Sequence, residues 1–132
     1  MKKITLLFVL FLAVSAFKAN AQDQFAKWPA LGDFHGVMSA TFHPAEKGKF
    51  DPIKQRSGEM VDKALALSKS IIPEAYNKLE VKTALVELNK RTTELNKLIM
   101  KNAKDEKINK SLIEVHDTFH KIVGLCTDLP EK

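Results

Sequence analysis

From Pro29 onward, apolar residues recur at alternating steps of four and three, the spacing that turns one face of a helix toward a bundle core. Four such runs follow one another. The first is Leu31, His35, Met38 and Phe42, and the second Ile53, Ser57, Met60, Ala64, Leu67 and Ile71. The third is Val81, Leu85, Leu88, Thr92, Leu95 and Ile99, and the fourth Ile108, Leu112, Val115, Phe119, Ile122 and Cys126. No stretch alternates with the period of two that a half-buried strand requires. Turn chemistry falls between the runs. The first helix is expected from Pro29 to about His43, ending at Pro44, with Ala45 to Phe50 as the longer loop. Asp51 is expected to cap the second helix, with Pro52 at its first position. Pro73 parts the second run from the third, and a polar break from Asn102 to Asp105 parts the third from the fourth. Asp105 is expected to cap that last helix, with Glu106 in its first turn. Gly32, Gly36 and Gly58 inside helical patterns each cost about 1 kcal/mol against alanine, although glycine on the first helix also lets a neighbour approach closely. The prediction is an all-α chain folded as an antiparallel up-down-up-down four-helix bundle with crossings near 20°.

Upstream the pattern changes to that of an export signal. Lys2 and Lys3 precede an apolar run from Ile4 to Phe17, and Ala19-Asn20-Ala21 supplies small residues for a cut before Gln22. Residues 1–21 are therefore read as a signal peptide and residues 22–132 as one domain, destined for the periplasm or for secretion. No cysteine lies at the cut to carry a lipid, and the apolar run is short for a membrane span, so no stable membrane insertion is expected. Removal of the signal changes the charge reading. The whole chain of 132 residues carries a formal charge of +5. Three of its 21 basic residues and none of its 16 acidic ones leave with residues 1–21, so the mature chain is near neutral. Export and weak charge together argue against a nucleic-acid partner. The single cysteine, Cys126, cannot form an internal disulfide and is left as a free thiol, an intermolecular partner or a metal ligand.

The candidate chemistry lies in the four histidines, which fall only on the first and last predicted helices. His116 and His120 are one turn apart on one face, a spacing that lets two imidazoles share a metal ion. His35 and His43 are two turns apart, about 12 Å along the axis, too far to share one ion from a straight helix. Laying the helices end to end puts His43 level with His116, and His35 within about a turn of His120. His35 occupies a core position in this reading, where a buried imidazole needs partners for both nitrogens. Those partners are either a metal or a carbonyl or carboxylate such as Asp33, Glu114 or Asp117. Met38, on the face of His35, and Cys126, near the end of the last helix, are additional ligand candidates, each also suited to packing. Glu114 and Asp117 could orient the imidazoles through their second nitrogens.

The segments HGVMSATFHP (residues 35–44) and VHDTFHKIV (residues 115–123) resemble a group of exported bacterial four-helix-bundle proteins with histidines on the first and last helices. His35, Phe42, His43, His116 and Phe119 carry the match, and Ser39 stands where members often have a further histidine. The resemblance implies a metal-associated exported bundle and no particular reaction. A sparser resemblance is to the b-type four-helix cytochromes, in which a methionine of the first helix and a histidine of the last hold haem. Met38 with His116 or His120 would take those places. Covalent haem is excluded by the lack of Cys-x-x-Cys-His.

The reading that follows is a periplasmic protein that buffers, carries or senses a transition-metal ion through His35, His43, His116 and His120. Zinc, copper, nickel and cobalt all suit imidazole, and a coordinating Met38 would favour copper, above all Cu(I). His43 either completes one site or begins a second with His116. Haem b held without a covalent link is the alternative cofactor, and a structural or interaction module with incidental histidines is the third reading. An unidentified envelope protein could receive the cargo. No enzyme is expected: the chain has no Ser-His-Asp signature, no phosphate-cradling glycine loop and no paired Glu-x-x-His motif.

Overall fold

The computed structural model describes residues 24–126. The expected signal peptide, residues 1–21, and the cut before Gln22 lie outside them. Four long helices make up most of the described chain: α1, Pro29–Glu46; α2, Asp51–Lys69; α3, Leu79–Met100; and α4, Asp105–Leu125. A single 3-10 turn at Glu74–Tyr76 lies between α2 and α3. Among the described residues there is no strand and no helix long and apolar enough to cross a membrane. Each long helix packs on the next, and α1 also meets α4, so the fold is all-helical with a bundle-like core.

The core stripes of α2, α3 and α4 follow the apolar spacing closely. Ile53, Ser57, Met60, Ala64 and Leu67 are buried on α2, Val81, Leu85, Leu88, Thr92 and Leu95 on α3, and Ile108, Leu112, Val115, Phe119 and Ile122 on α4. Ile71 departs from the expectation. The helix that would have buried it ends at Lys69, and Ile71 is 93% exposed.

Helix α1 departs further, because its stripe is rotated. Leu31, Phe34, Val37, Met38, Thr41 and Ala45 are buried, whereas His35 and His43 are exposed and Phe42 is half-buried. Steps of three then four from Leu31 give Phe34, Met38, Thr41 and Ala45; steps of four then three give His35, Met38 and Phe42. Both are legal helical seams that share Leu31 and Met38. Burying Phe34 and Val37 removes more apolar surface from water than burying an imidazole, and this decides the rotation. The buried Thr41 hydroxyl stays satisfied by donating to the Val37 carbonyl at 2.9 Å.

Helix ends also correct three expectations. Pro44 does not stop α1 but sits in its last turn, and its carbonyl accepts from Lys47 and Lys49 at 3.0 and 2.9 Å. The helix stops at Gly48, whose φ of 77° permits the left-handed C-terminal turn while its own N–H bonds the Ala45 carbonyl. Asn102, with φ 55°, ends α3 in the same way. Asp51 and Asp105 are the first residues of α2 and α4 rather than their caps, and neither helix has a side-chain cap. Their charges act on the helix N-termini instead, and Asp105 also pairs with Lys54 at 2.7 Å.

Polar contacts tie the helices together at several levels. Trp28, 1% exposed just ahead of α1, donates its indole N–H to Ser70 Oγ beyond α2 at 2.8 Å. Ser57 of α2 donates to Asn96 of α3 at 2.8 Å. Arg91 of α3 reaches Glu114 of α4 at 3.1 Å, and Lys78 Nζ donates to the Leu125 carbonyl at 3.3 Å.

Candidate functional site: a histidine groove between the first and last helices

The rotation of α1 carries its histidines out of the core and toward α4. His35, Met38, Ser39, Phe42 and His43 from α1, with His116, Phe119 and His120 from α4, line a single groove of about 180 Å³. All four histidines of the chain therefore face one small space. Met38 is buried, 2% exposed, among the lining residues, while His35, His43 and His120 are exposed. Wider and shallower depressions run along the lysine-rich outer face of α4, around Lys104, Lys107 and Lys110, and no imidazole or sulfur lines them.

Within the groove the α4 pair is already in close register. His116 and His120 sit one helical turn apart, and their Nε2 atoms are 3.0 Å from each other. Two imidazole nitrogens bound to one ion at 2.0–2.1 Å, with an angle between 90° and 120° at the metal, lie about 2.9–3.6 Å apart. The pair thus has the bite of a chelate. Without an ion the same distance is a hydrogen bond in which one Nε2–H donates to the other ring's lone pair.

Phe42 packs flat against His116, with ring centroids 3.8 Å apart and planes 10° from parallel. Asp117 Oδ1 lies 3.5 Å from His116 Nδ1. With its proton on Nδ1, toward that carboxylate, His116 would present its Nε2 lone pair to His120. Glu114, the other carboxylate expected to orient an imidazole, instead bonds Arg91 at 3.1 Å.

The α1 histidines stand further out. His35 stacks on Phe25, from the helical residues ahead of Trp28, at 4.7 Å and faces Phe119 at 6.0 Å. Gly32 makes room for that arrangement, since a Cβ there would lie 3.2 Å from the Phe25 Cβ. His43 Nδ1 lies 3.2 Å from Glu46 Oε2 on the solvent side. Among the described residues, no three His, Cys, Asp or Glu side chains stand close enough together to hold one metal ion. As the side chains lie, the groove holds one pair of imidazole nitrogens 3.0 Å apart, and His35, His43 and Met38 also line it.

Cys126 is apart from this groove. It is buried, its carbonyl accepts from the Gln24 amide at 2.6 Å, and burial pushes its thiol up to about 11. A thiol that resists ionisation is a poor metal ligand at neutral pH. The spacing of the histidines foretold that they would converge. Phe42 and Phe119, whose rings stack on or face the imidazoles, were signalled only as the aromatic positions of the two motifs, and Phe25, outside both, carried no signal.

Burial, and then the nearby charge of His43, hold His35 below the usual imidazole range. Burial, and then the charges of His116 and His35, do the same for His120 against the opposing pull of Asp117. Both rings are therefore neutral near pH 7, the form that binds metal. The sign for stability follows. A folded chain that protonates these rings less readily than the unfolded chain keeps their full contribution above the unfolded value of about 6.5 and loses it as pH falls through and below that value. The urea midpoint is expected to drop between about pH 7.5 and about pH 5, with a smaller drop in a variant carrying H35Q and H120Q. An equal drop in that variant would remove the two rings as its source.

Compared with protein-family models, with curated proteins and with solved structures, the chain matches none.

Proposed function

We propose that the protein binds one transition-metal ion in the histidine groove, with His116 and His120 as the first two ligands, and that it does so in the periplasm as a metal buffer, carrier or sensor. The observation that carries this reading is the 3.0 Å Nε2–Nε2 bite inside a groove lined by every histidine of the chain. The lowered proton affinity of His35 and His120 and the Asp117 carboxylate behind His116 support it. His35 and His43 then supply further nitrogens by turning about their side-chain bonds, since both stand exposed at the rim.

The reading takes the helices as an antiparallel up-down-up-down bundle, which makes α1 and α4 neighbours along their length. Three contacts support that order by joining an early residue of one helix to a late residue of another: Trp28 with Ser70, Ser57 with Asn96, and Lys78 with Leu125. The export motif and the HGVMSATFHP and VHDTFHKIV segments support the compartment and the metal association. Haem is less well suited, because pockets for molecules of that kind span about 300–1,000 Å³ and this groove holds about 180 Å³.

Calorimetric titration of the stripped, untagged protein with Zn(II), Cu(II), Ni(II), Co(II) and, anaerobically, Cu(I) tests the proposal. One ion per chain at micromolar or tighter affinity is expected for at least one of them. No saturable binding of any would overturn it.

A further inference from the structure

We propose that the groove is built for a soft monovalent ion, copper(I), held by Nε2 of His116, Nε2 of His120 and the thioether sulfur of Met38. The proposal rests on the metal-binding reading above and narrows it to one ion class.

Three features of the groove point this way. The first is its donor set. Imidazoles and one thioether line it, and among the described residues no carboxylate or thiolate does. A thioether adds little to the binding of zinc, nickel or cobalt but is a preferred ligand of Cu(I). Met38 is 2% exposed, one turn before the Phe42 ring that stacks on His116 at 3.8 Å. Met38 thus lines the same groove as the two α4 imidazoles, and in the proposed site its sulfur is the third donor.

The second feature is the number of close donors. His116 and His120 already stand as a close pair of nitrogens, whereas an ion that demands four ligands needs His35 and His43 to turn inward from the rim. Cu(I) is content with three, and two nitrogens with one sulfur complete its shell.

The third is charge. Phe42 and Phe119 line the groove, and among the described residues the carboxylate paired with an α4 histidine is Asp117, 3.5 Å from His116 Nδ1 and mostly exposed. A divalent ion would leave more charge uncompensated against apolar walls than a monovalent one.

The test compares wild type, M38L and H116A, each untagged and each titrated anaerobically with Cu(I) against a chromogenic Cu(I) chelator and separately with Zn(II). Leucine keeps the volume of methionine, so the core survives, and far-UV circular dichroism checks it. M38L is expected to weaken Cu(I) binding at least about tenfold, as loss of a ligand should, while leaving Zn(II) affinity within about twofold because the thioether contributes little there. In the wild type, silver(I), a redox-inert stand-in, is expected to shift the Met38 methyl resonance, a readout independent of how well the variant folds. An unchanged Cu(I) affinity in M38L with an unmoved methyl resonance overturns the proposal. If H116A still abolishes metal binding in that case, the histidine site stands and only its preference for Cu(I) falls. If the wild type binds neither Cu(I) nor Zn(II), both readings fall.

Discussion

Replacing Phe34 with alanine is expected to destabilise the protein by about 3–5 kcal/mol, the range for removing a buried aromatic ring, whereas replacing its neighbour His35 should cost less than about 1 kcal/mol. Phe34 is fully buried, with its ring 5.2 Å from that of Phe119 on α4. Its loss leaves a cavity where α1 meets α4, and close-packed neighbours relax into such a space only in part. A domain of this size has about 5–15 kcal/mol in total, so F34A should lower the urea midpoint severely. His35 loses its stacking on Phe25 and the more distant facing of Phe119, since its ring lies exposed at the groove rim rather than in the core. Equilibrium urea unfolding of the two variants reads the rotation of α1 directly. A cost for H35A equal to that for F34A would return His35 to the core and dismantle the groove.

The second large effect concerns binding. Changing His116 to alanine is expected to weaken metal affinity by more than about a hundredfold, and changing His120 by a similar factor, because even outer-shell partners of a metal site are worth about 10–100-fold. Each change removes half of the two-nitrogen chelate. His116 has the additional support of Phe42 against its ring and Asp117 behind its Nδ1, so its ring is the better fixed of the two. The double variant should bind no more tightly than either single one, because the remaining histidines of α1 do not approach each other as a pair. His43 to alanine should cost the least of the four, since that ring is exposed and faces Glu46. Binding that survives in the double variant would move the site to α1.

Much of the fold was legible in the spacing because α2, α3 and α4 each have one apolar seam with few competitors. Ser57 and Thr92 interrupt those seams without offering another, and both polar groups find hydrogen-bond partners where they lie. On α1 two seams of equal regularity pass through Leu31 and Met38. Choosing between them needs the packing of Phe34 against Phe119, a contact between helices that no local period contains. The helix ends show a similar limit. Proline lacks a donor but tolerates the last turn of a helix that ends two residues on, so Pro44 stayed inside α1 and Gly48, free to take positive φ, stopped it.

The convergence of the histidines was legible for a different reason. Their confinement to two helices and the fixed rise per residue predict His43 level with His116 and His35 within about a turn of His120, and all four line one groove. The rotation of α1 altered what surrounds them. An imidazole in the core would have needed a satisfied pair of nitrogens, whereas an imidazole at the rim of a half-open groove has water to satisfy it. The aromatic rings beside the histidines belong to this second layer of information. Phe25 reaches His35 from ahead of α1 through the gap left by Gly32, a contact decided by chain path rather than by motif.

The most direct test of the central claim is the state of the imidazole nitrogens themselves. Long-range proton–nitrogen NMR of the histidine rings, recorded before and after adding one equivalent of Zn(II) or silver(I), reports which nitrogen of each ring binds. The account predicts that Nε2 of His116 and Nε2 of His120 both shift to metal-bound values while Nδ1 of His116 stays protonated toward Asp117. Rings that titrate with acid but do not respond to either ion would contradict it and leave the groove as a packed aromatic surface.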